Sequence, residues 1–361
     1  MRAAVFTETG GPLSIENLEP SPPGPRDVIV QLGASGVCHS DLSLKNGYVA
    51  GIMPGTILGH EGAGTVVEVG NEVTKVKAGD HIVAAFIPAC GTCWFCLHDQ
   101  SHLCDNEFNV MMAMRGTRTD GSQYMAMTGL GTFAEAMTCS EQSVVKVDTS
   151  VPDEQLALIG CGVTTGVGAA LNTARVQPGT TVAVIGCGGV GQAVIQGARI
   201  AGASRIIAVD PVELKRKTAE SLGATDFVDP GEGDAVAQVQ QLTSGRGVDY
   251  AFEVIGLPET VLQAYNMIRK GGTAVMVGMT RGDAEVTLPT FDLLFNEKTL
   301  KGCKYGSGQV RRDFQRYADL IETGRLDLDA MVSQTIKLDQ VNDAFTAMEK
   351  GEVIRSVITS F

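Results

Sequence analysis

The stretch Thr181–Asp210 constrains the fold of this 361-residue chain more than any other part of the sequence. It begins with an apolar, β-branched run, Thr181–Ile185, which predicts a buried parallel strand because it lacks polar alternation. A glycine-rich turn and an apolar helical segment follow, and a second strand, Arg205–Val209, leads to Asp210. The stretch therefore predicts a βαβ unit, the building block of a doubly wound parallel sheet.

The glycine-rich turn has the spacing G-x-G-x-x-G at Gly186, Gly188 and Gly191. The first glycine permits a tight turn, the second lets backbone approach a pyrophosphate, and the third lets the helix pack on the strand. A packing turn is the alternative for such a triplet taken alone, since the chain has 44 glycines. Asp210 lies about 20 residues further on, where a carboxylate accepts hydrogen bonds from an adenosine ribose and repels a ribose phosphate. We therefore expect NAD rather than NADP as the ligand.

The length and charge of the chain limit its function. Its 361 residues exceed one ordinary core and suggest two domains. A formal net charge of −13, without a basic cluster, argues against nucleic acid or anionic membranes as partners. The longest apolar region, 181–210, is interrupted by glycines and polar residues and is not expected to span a membrane. The N-terminal sequence MRAAVFTETGG lacks an export signal, so we expect a cytoplasmic protein.

The pattern of predicted elements changes near residue 163. Before it we predict short strands between Gly/Pro turns, at Arg2–Phe6, Val28–Leu32, Gly64–Val69, His81–Phe86 and Ser143–Val147. After it strands alternate with helices, the strands being Thr181–Ile185, Arg205–Val209, Asp226–Val228, Tyr250–Val254, Thr273–Val277 and Thr299–Cys303. Six such strands predict two mononucleotide-binding halves. Helices near Arg311–Thr323 and Gln340–Lys350 and a strand at Ile354–Thr359 follow.

Four of the nine cysteines are closely spaced, as C-x2-C-x2-C-x7-C at Cys90, Cys93, Cys96 and Cys104. This spacing can arrange four thiolates around one tetrahedral zinc ion. Buried thiols or disulfides are the alternative, but an odd cysteine count without an export signal favours reduced thiols. Because four cysteine ligands leave no open coordination position, we predict a structural zinc site.

A second set of metal-ligand residues is scattered along the chain: Cys38 in GVCHSD, His60 in GHEGAG and Cys161 in IGCGVTTG. Two thiolates and an imidazole leave a fourth position for water or substrate, as a catalytic zinc ion requires. Spacing alone does not join these residues, and each taken singly is more often a buried structural side chain.

With these motifs the chain resembles the zinc-dependent medium-chain alcohol dehydrogenases over essentially its whole length. The matching motifs are GVCHSD, GHEGAGTVVEVG, the four-cysteine segment, GCGVTTGVGAALN, GCGGVG, AVD and VDYAFEVIG. The resemblance is strongest to the class III-like bacterial branch, which includes enzymes for long or aromatic alcohols and some that hold NAD(H) permanently. It implies a β-rich, GroES-like catalytic domain formed by 1–162 and 305–361 and a Rossmann NAD-binding domain at 163–304.

The resemblance also implies roles for individual residues. The implied catalytic residues are the zinc ligands Cys38, His60 and Cys161, Glu61 behind the metal, Asp41 on the second N–H of His60, and Ser40 on the substrate oxygen. The implied cofactor contacts are Gly186, Gly188, Gly189, Val190 and Gly191 in the turn, Asp210 and Lys215 at the adenosine ribose, His39 and Arg355 at the pyrophosphate, and Thr165 with Val190 at the nicotinamide. The implied substrate pocket contains Phe86, Met127 and Met279, with ordinary core packing as the alternative.

These residues predict zinc-dependent oxidation of an alcohol to an aldehyde or ketone by hydride transfer to NAD, and the reverse reduction. Ser43 stands where many family members carry a proton-relaying histidine, so we expect the proton to pass to water. The methionine-rich segment 110–128 favours a bulky hydrophobic alcohol over ethanol, primary and either aromatic, allylic or terpenoid. Packing of the loop or of a subunit contact is the alternative for these methionines.

Two other activities stay open from the sequence. One is a thiol-dependent formaldehyde dehydrogenase, in which Arg115 and Arg118 would meet the anionic adduct, with solvated surface charges as the commoner explanation for both arginines. The other is a dehydrogenase with permanently bound NAD(H). A non-catalytic protein with this fold is disfavoured, because all three catalytic zinc ligands are present. By analogy with the family we expect two zinc ions per subunit, one catalytic and one structural, and a homodimer or homotetramer.

Overall fold

A computed structural model describes residues 1–48 and 52–361, and its contacts divide them into two compact units. The discontinuous unit comprises Met1–Cys161 and Gln309–Phe361, and the central unit comprises Gly162–Gly308. The sequence predicts a catalytic domain at 1–162 with 305–361 and an NAD-binding domain at 163–304. These boundaries and functions stay predictions.

Short strands dominate the discontinuous unit before Cys161. They are β1 (Arg2–Phe6), β2 (Ser14–Asn17), β3 (Glu19–Pro20), β4 (Asp27–Val37), β5 (Thr56–Ile57), β6 (Glu61–Val69), β7 (His81–Ala84), β8 (Met114–Thr117), β9 (Gln123–Ala126), β10 (Ala136–Ser140) and β11 (Val144–Lys146). The helices here are α1 (His39–Lys45), α2 (Trp94–Leu97), α3 (Glu107–Met111) and α4 (Asp153–Leu158). The β-rich character predicted for this part of the chain is confirmed.

Parallel strands and helices alternate in the central unit. Its strands are β12 (Thr181–Ile185), β13 (Arg205–Val209), β14 (Asp226–Val228), β15 (Val248–Glu253), β16 (Ile268–Met276) and β17 (Thr299–Gly302). Its helices are α5 (Thr164–Gly168), α6 (Gly189–Ile200), α7 (Glu213–Leu222), α8 (Ala235–Leu242), α9 (Pro258–Met267) and α10 (Thr290–Phe295). After it, the chain returns to the discontinuous unit with α11 (Val310–Glu322), β18 (Val332–Lys337), α12 (Val341–Glu349) and β19 (Arg355–Ser360).

The discontinuous unit contains two sheets. One has the strand order β2-β1-β5-β9-β8-β3, and the other has the order β11-β7-β6-β4-β19-β18, with β10 also paired to β4. In the second sheet β4 pairs antiparallel with both β6 and β19, so that Gly36 faces Glu61 on one side and Val357 on the other. The long strand β4 thus joins residues near the start of the chain to residues near position 355.

The sheet of the central unit is parallel throughout and has the order β14-β13-β12-β15-β16-β17. The strand β12 is buried over four of its five residues, as its apolar sequence predicts. Chain order runs outward in opposite directions from the pair β12 and β15, which is the switch point of a doubly wound sheet. The predicted Rossmann architecture is therefore confirmed.

One helical stretch, Asp153–Ala174, is long and apolar enough to cross a membrane by length and composition alone. In the protein, however, 83% of its most apolar window is buried. It also contains π-helical turns at Ile159–Val163 and Ala169–Ala174. Its apolar composition is that of a core helix.

Two glycines of the turn after β12 differ sharply in their surroundings. A Cβ added at Gly191 would lie 2.0 Å from the backbone oxygen of Gly186, whereas one added at Gly188 would meet nothing within 4 Å. The third glycine is therefore required by packing, and the second leaves open space above the turn.

We predict that Gly191→Ala lowers the free energy of unfolding by about 2 kcal/mol or more, because the backbone must move to relieve the clash. Gly188→Ala, the matched variant, should cost less than about 1 kcal/mol. It should instead weaken NAD binding, since its methyl group fills the space expected for the pyrophosphate. Thermal unfolding and NAD titration of both variants check this prediction, which equal losses of stability would contradict.

Candidate active site

The scattered cysteine and histidine residues predicted as zinc ligands lie together in the discontinuous unit. Cys38 is between β4 and α1, His60 and Glu61 are at the start of β6, and Cys161 follows α4. One ligand atom from each of these four residues lies within 4.8 Å of the others, and all four side chains are buried. The fold therefore joins residues that sequence spacing alone did not connect.

Asp41, in the first turn of α1, orients the imidazole of His60. Its Oδ1 lies 2.9 Å from His60 Nδ1, and its Oδ2 accepts the backbone N–H of Cys38 at 3.0 Å. Asp41 and His60 are both buried. His60 Nε2 is also buried and has no hydrogen-bond partner among the described residues. With Nδ1 donating to the carboxylate, Nε2 carries the lone pair that a metal ion needs.

The two thiols of this cluster have opposite pKa shifts. The hydrogen bond from Cys161 holds the pKa of Cys38 well below its usual range. The same contact, together with burial, raises the pKa of the Cys161 thiol. Thiolate is the form of cysteine that ligates metals. The Cys38, His60 and Cys161 set is thus a donor set that fits zinc and leaves a fourth position open.

A buried ion pair joins Glu61 to Arg355 on β19. Burial raises the pKa of the Glu61 carboxyl to about 7, although the guanidinium acts in the opposite direction. A Cβ added at Gly36 would lie 2.1 Å from Glu61 Oε2 and 3.0 Å from Arg355 Nη2, so the pair occupies the space beside that glycine. Arg355 is therefore engaged with Glu61 here, and its predicted contact with a pyrophosphate stays a prediction.

The four closely spaced cysteines form a second cluster in the same unit. Their sulfur atoms lie within 4.8 Å of one another, and the Cys90–Cys96 and Cys93–Cys104 sulfur distances are 3.9 and 4.0 Å. These distances exclude disulfides, and all nine cysteines of the chain are free. The backbone N–H of Cys93 donates to Cys90 Sγ, and that of Cys96 donates to Cys93 Sγ. Four converging sulfurs with such donors fit a closed tetrahedral zinc site.

The glycine-rich turn of the central unit is fixed by Asp210. Oδ2 of this buried carboxylate accepts the N–H of Cys187 at 2.9 Å, and Oδ1 accepts the N–H of Val212 at 3.0 Å. Lys215 Nζ lies 3.4 Å from Oδ2. Gly189 begins α6, whose N-terminus directs backbone N–H groups toward the same edge of the sheet. The turn, the carboxylate and the lysine thus form one assembly that fits a dinucleotide.

Gln192 on α6 is a buried side chain of this assembly that sequence reasoning missed. Its amide nitrogen donates to the backbone oxygens of both Cys187 and Lys215, at 2.9 and 3.0 Å. Glutamine at a helical position gave no sequence signal for this role, because both partners are backbone atoms.

The other predicted site residues are distributed between the units. His39 and Ser40 begin α1 in the discontinuous unit, and Thr165 lies on α5 in the central unit. The ring of Phe86 stands edge-on to the His60 imidazole, with centroids 5.6 Å apart.

The predicted pocket methionines have contrasting surroundings. Met127 is buried in a core cluster that includes Phe6 and Phe133, which favours ordinary packing for this side chain. Met279, in the central unit, is exposed. The assignment of both to a substrate pocket stays a prediction.

Other charged side chains have partners that the sequence did not reveal. Arg118 forms a bidentate pair with Glu16, and the buried Arg115 lies 3.4 Å from Asp27. Neither arginine is an unpartnered surface charge. His81 pairs with Asp153 at the start of α4, which raises the pKa of the imidazole. The two residues are 72 positions apart in sequence, so no local pattern indicated the contact.

Comparisons with known proteins agree with this geometry. Residues 24–149 match the alcohol dehydrogenase GroES-like domain, and residues 189–323 match the zinc-binding dehydrogenase family. The chain is 40% identical to the NDMA-dependent alcohol dehydrogenase of Amycolatopsis methanolica, over 99% of this chain and 98% of that protein. It is 38% identical to the S-(hydroxymethyl)glutathione dehydrogenase of a Synechocystis species, over 99% of both.

A solved structure is similar over its full length as well. The benzyl alcohol dehydrogenase of Acinetobacter calcoaceticus matches with a TM-score of 0.93 and 30% identity, over 100% of this chain and 99% of that one. These matches define an oxidoreductase of the dehydrogenase class. The chain belongs to the zinc-dependent medium-chain alcohol dehydrogenases.

We predict that Asp41→Asn weakens zinc binding at the Cys38 site by about 10- to 100-fold. If the amide oxygen still accepts the hydrogen bond from the Cys38 N–H, the amide NH2 group faces His60 Nδ1. Nδ1 must then accept a hydrogen bond, so the imidazole proton moves to Nε2, the nitrogen that would bind the metal. Zinc release to a chelator, followed by metal analysis, measures the effect. Asp339→Asn is the control, because Asp339 is an exposed partner of Arg2. If Asp41→Asn releases zinc as slowly as the unsubstituted protein, the assignment of Asp41 as the residue that orients His60 is wrong.

Proposed function

We propose that the chain oxidises bulky hydrophobic alcohols, chiefly primary aromatic or allylic ones, with NAD as hydride acceptor, and catalyses the reverse reduction. The observation that carries this proposal is the buried cluster of Cys38, His60 and Cys161, in which His60 Nε2 has no hydrogen-bond partner among residues 1–48 and 52–361. Two sulfurs and one imidazole nitrogen are the ligand set of an open, catalytic zinc site.

The protein's own residues have distinct tasks in this reaction. Cys38, His60 and Cys161 hold the metal, and Asp41 keeps the imidazole in the ligating tautomer. When bound, zinc supplies Lewis acidity that makes an alcohol hydroxyl acidic near neutral pH. Ser40, two residues after Cys38, accepts the hydroxyl proton at its Oγ and passes it outward. Since Ser43 is not basic near pH 7, the proton leaves to water.

The central unit supplies the cofactor site in this proposal. Gly188 and the first residues of α6 receive the pyrophosphate, because open space lies above that glycine. Asp210 and Lys215 bind the adenosine ribose, and Thr165 with Val190 contacts the nicotinamide ring. The buried carboxylate of Asp210 disfavours a ribose phosphate, so NAD is preferred to NADP.

The preference for a bulky alcohol has two supports. Phe86 presents an aromatic ring beside the His60 imidazole, where it can contact an apolar substrate. A relative with the same fold is a benzyl alcohol dehydrogenase. The methionine-rich segment gives weaker support than its sequence suggested, because Met125 and Met127 are buried while Met112 and Met114 are exposed.

Two alternative activities differ from the proposed one in what they require: one needs a low-molecular-weight thiol and the other an external oxidant. A thiol-dependent formaldehyde dehydrogenase is favoured by the Synechocystis relative, but Arg115 and Arg118 are already paired with carboxylates. A dehydrogenase with permanently bound NAD(H) would release the dinucleotide only on denaturation and would need an external oxidant. Neither alternative changes the proposed metal site.

A homodimer formed through the central unit is the proposed assembly, with a homotetramer as the larger alternative. Strand β17 is at the edge of its sheet, where its backbone groups can pair with another strand. On the preceding helix α10, Phe291, Leu294 and Phe295 are 72%, 71% and 66% exposed. An exposed apolar surface of this kind marks an association site. Nine free cysteines also suit a reducing compartment, and we place the protein in the cytoplasm.

NADH absorbance tests the proposed reaction directly. Mixed with NAD and a panel from ethanol through octanol and geraniol to benzyl alcohol, the protein should form NADH with kcat/KM at least about tenfold higher for the larger alcohols, as added buried methylenes contribute to binding. If ethanol outperforms every larger alcohol, the substrate preference is wrong. If NADH forms only when a thiol and formaldehyde are added, the protein is a thiol-dependent formaldehyde dehydrogenase and the proposed alcohol oxidation is wrong.

Zinc analysis tests the two proposed metal sites separately. The protein as purified should contain two zinc ions per chain, and Cys96→Ala should contain about one, because three sulfurs no longer close the structural site. Cys139→Ala is the matched control, since Cys139 is a buried thiol outside both clusters. Two zinc ions retained by Cys96→Ala would refute the assignment of the four-cysteine cluster.

A further inference from the structure

Glu253, in the VDYAFEVIG motif, is a fully buried carboxylate. It is the last residue of β15, and its side chain turns back onto the loop that follows. Oε1 accepts the backbone N–H groups of Ile255 and Gly256, at 2.8 and 2.7 Å, and the hydroxyl of Thr260 at 2.8 Å. One oxygen atom therefore fixes both ends of the segment 254–260, which comprises the loop 254–257 and the first three residues of α9.

This loop lies at the point in the sheet where ligands of doubly wound folds bind. Glu253 pairs in register with Ile185, the last residue of β12, and β12 and β15 are the strands at which the order reverses. Dinucleotides bind outside the carboxyl ends of strands at such a switch point. Glu253 is thus at the base of the crevice rather than elsewhere in the core.

The loop also touches the glycine-rich turn directly. A Cβ added at Gly186 would lie 2.6 Å from Ile255 Cγ1, so the isoleucine packs against that turn. Ile255 and Leu257 flank the predicted phosphate site, and their apolar side chains are 45% and 46% exposed. Exposed apolar side chains beside the turn offer a surface for the sugar and ring parts of a dinucleotide.

Backbone contacts extend the same arrangement to the next strand. The backbone oxygen of Glu253 accepts the N–H groups of Val277 and Gly278, at 2.8 and 3.0 Å. A Cβ added at Gly256 would lie 2.2 Å from the backbone oxygen of Met279. Displacement of the segment 254–260 would therefore disturb residues 277–279 as well as the turn at Gly186.

The second carboxylate oxygen distinguishes Glu253 from a simple loop cap. Oε2 is buried and has no hydrogen-bond partner in the part of the chain that the structure describes. A buried acceptor without a donor is costly, so structures retain one chiefly where it serves a site. Here it stands at the switch point, within the assembly that the dinucleotide would contact.

We propose that Glu253 is a positioning residue for NAD: it holds the segment 254–260 in the conformation that receives the dinucleotide, through Ile255, Gly256 and Thr260. This inference rests on the proposed NAD site. It assigns Glu253 no contact with the reacting atoms. Its loss should act on cofactor affinity, because the loop would then have to be ordered when NAD binds.

Three full-length variants test the role of Glu253, with NAD affinity measured by titration and thermal unfolding measured without NAD. Glu253→Gln replaces the charged acceptor, and Thr260→Val removes only one of its donors. Thr243→Val is the matched control. Thr243 is equally buried and also makes hydrogen bonds to backbone, but it follows α8 near the amino end of β15.

Thr260→Val should raise the Kd for NAD about fivefold or more, the equivalent of one lost hydrogen bond. Glu253→Gln should also raise the Kd, because a neutral amide oxygen accepts the same hydrogen bonds more weakly than a carboxylate does. The KM for NAD should rise in parallel, while kcat at saturating NAD changes less than about twofold. Thr243→Val should lower the unfolding temperature without changing the Kd for NAD.

The proposal is overturned if both variants bind NAD as tightly as the unsubstituted protein, or if Thr243→Val weakens NAD binding as much as Thr260→Val. If Glu253→Gln does not fold, Thr260→Val against Thr243→Val decides the question. Failure of the proposed function has a different outcome, because the unsubstituted protein would then bind no NAD.

Discussion

Burial of ionisable groups is the constraint around which the discontinuous unit is built. A charge removed from water is costly unless another charge or several hydrogen bonds compensate it. The cluster at Cys38 meets this requirement twice, with Asp41 against His60 and Arg355 against Glu61. Each partner comes from a different element, so the cluster exists only when α1, β6 and β19 are all assembled. The same burial that makes the pairs costly also removes bulk water from the position proposed for the metal ion.

In the central unit the main constraint is different: the backbone loops at the carboxyl ends of the strands must be held in a fixed conformation. Its sheet is parallel, and the carboxyl ends of β12 and β15 leave a crevice where the strand order reverses. Two buried carboxylates hold the loops on this edge: Asp210 binds the N–H of Cys187, and Glu253 binds those of Ile255 and Gly256. Both use acceptor oxygens to fix backbone that would otherwise be mobile. The loops at the carboxyl ends of the strands are thus preorganised by two buried carboxylates.

The parts of the fold that could be predicted from the sequence are those specified by local spacing. The strand, turn and helix at 181–200 and the four-cysteine cluster lie within short segments, so periodicity and ligand spacing were sufficient. The cluster of Cys38, His60 and Cys161 required resemblance to a family, because its members are far apart in sequence.

Other contacts had no sequence signal at all. Glu61 and Arg355 are 294 positions apart, and Gly36 is small because that pair fills the adjacent space. The roles of His81, Gln192 and Glu253 likewise depend on tertiary neighbours or backbone partners. Met127 shows the opposite case: the family resemblance implied a substrate pocket with core packing as the alternative, and the fold buries this side chain in a core cluster.

The topology of the discontinuous unit has a consequence for synthesis on the ribosome. Strand β4 forms hydrogen bonds with β19, whose residues are made only after the whole central unit has emerged. Domains fold as units during translation, so the central unit can fold while the sheet containing β4 still lacks that strand. Until then the Glu61 carboxyl has no guanidinium beside it. Assembly of the buried cluster at Cys38 is thereby delayed to the last stage of chain synthesis.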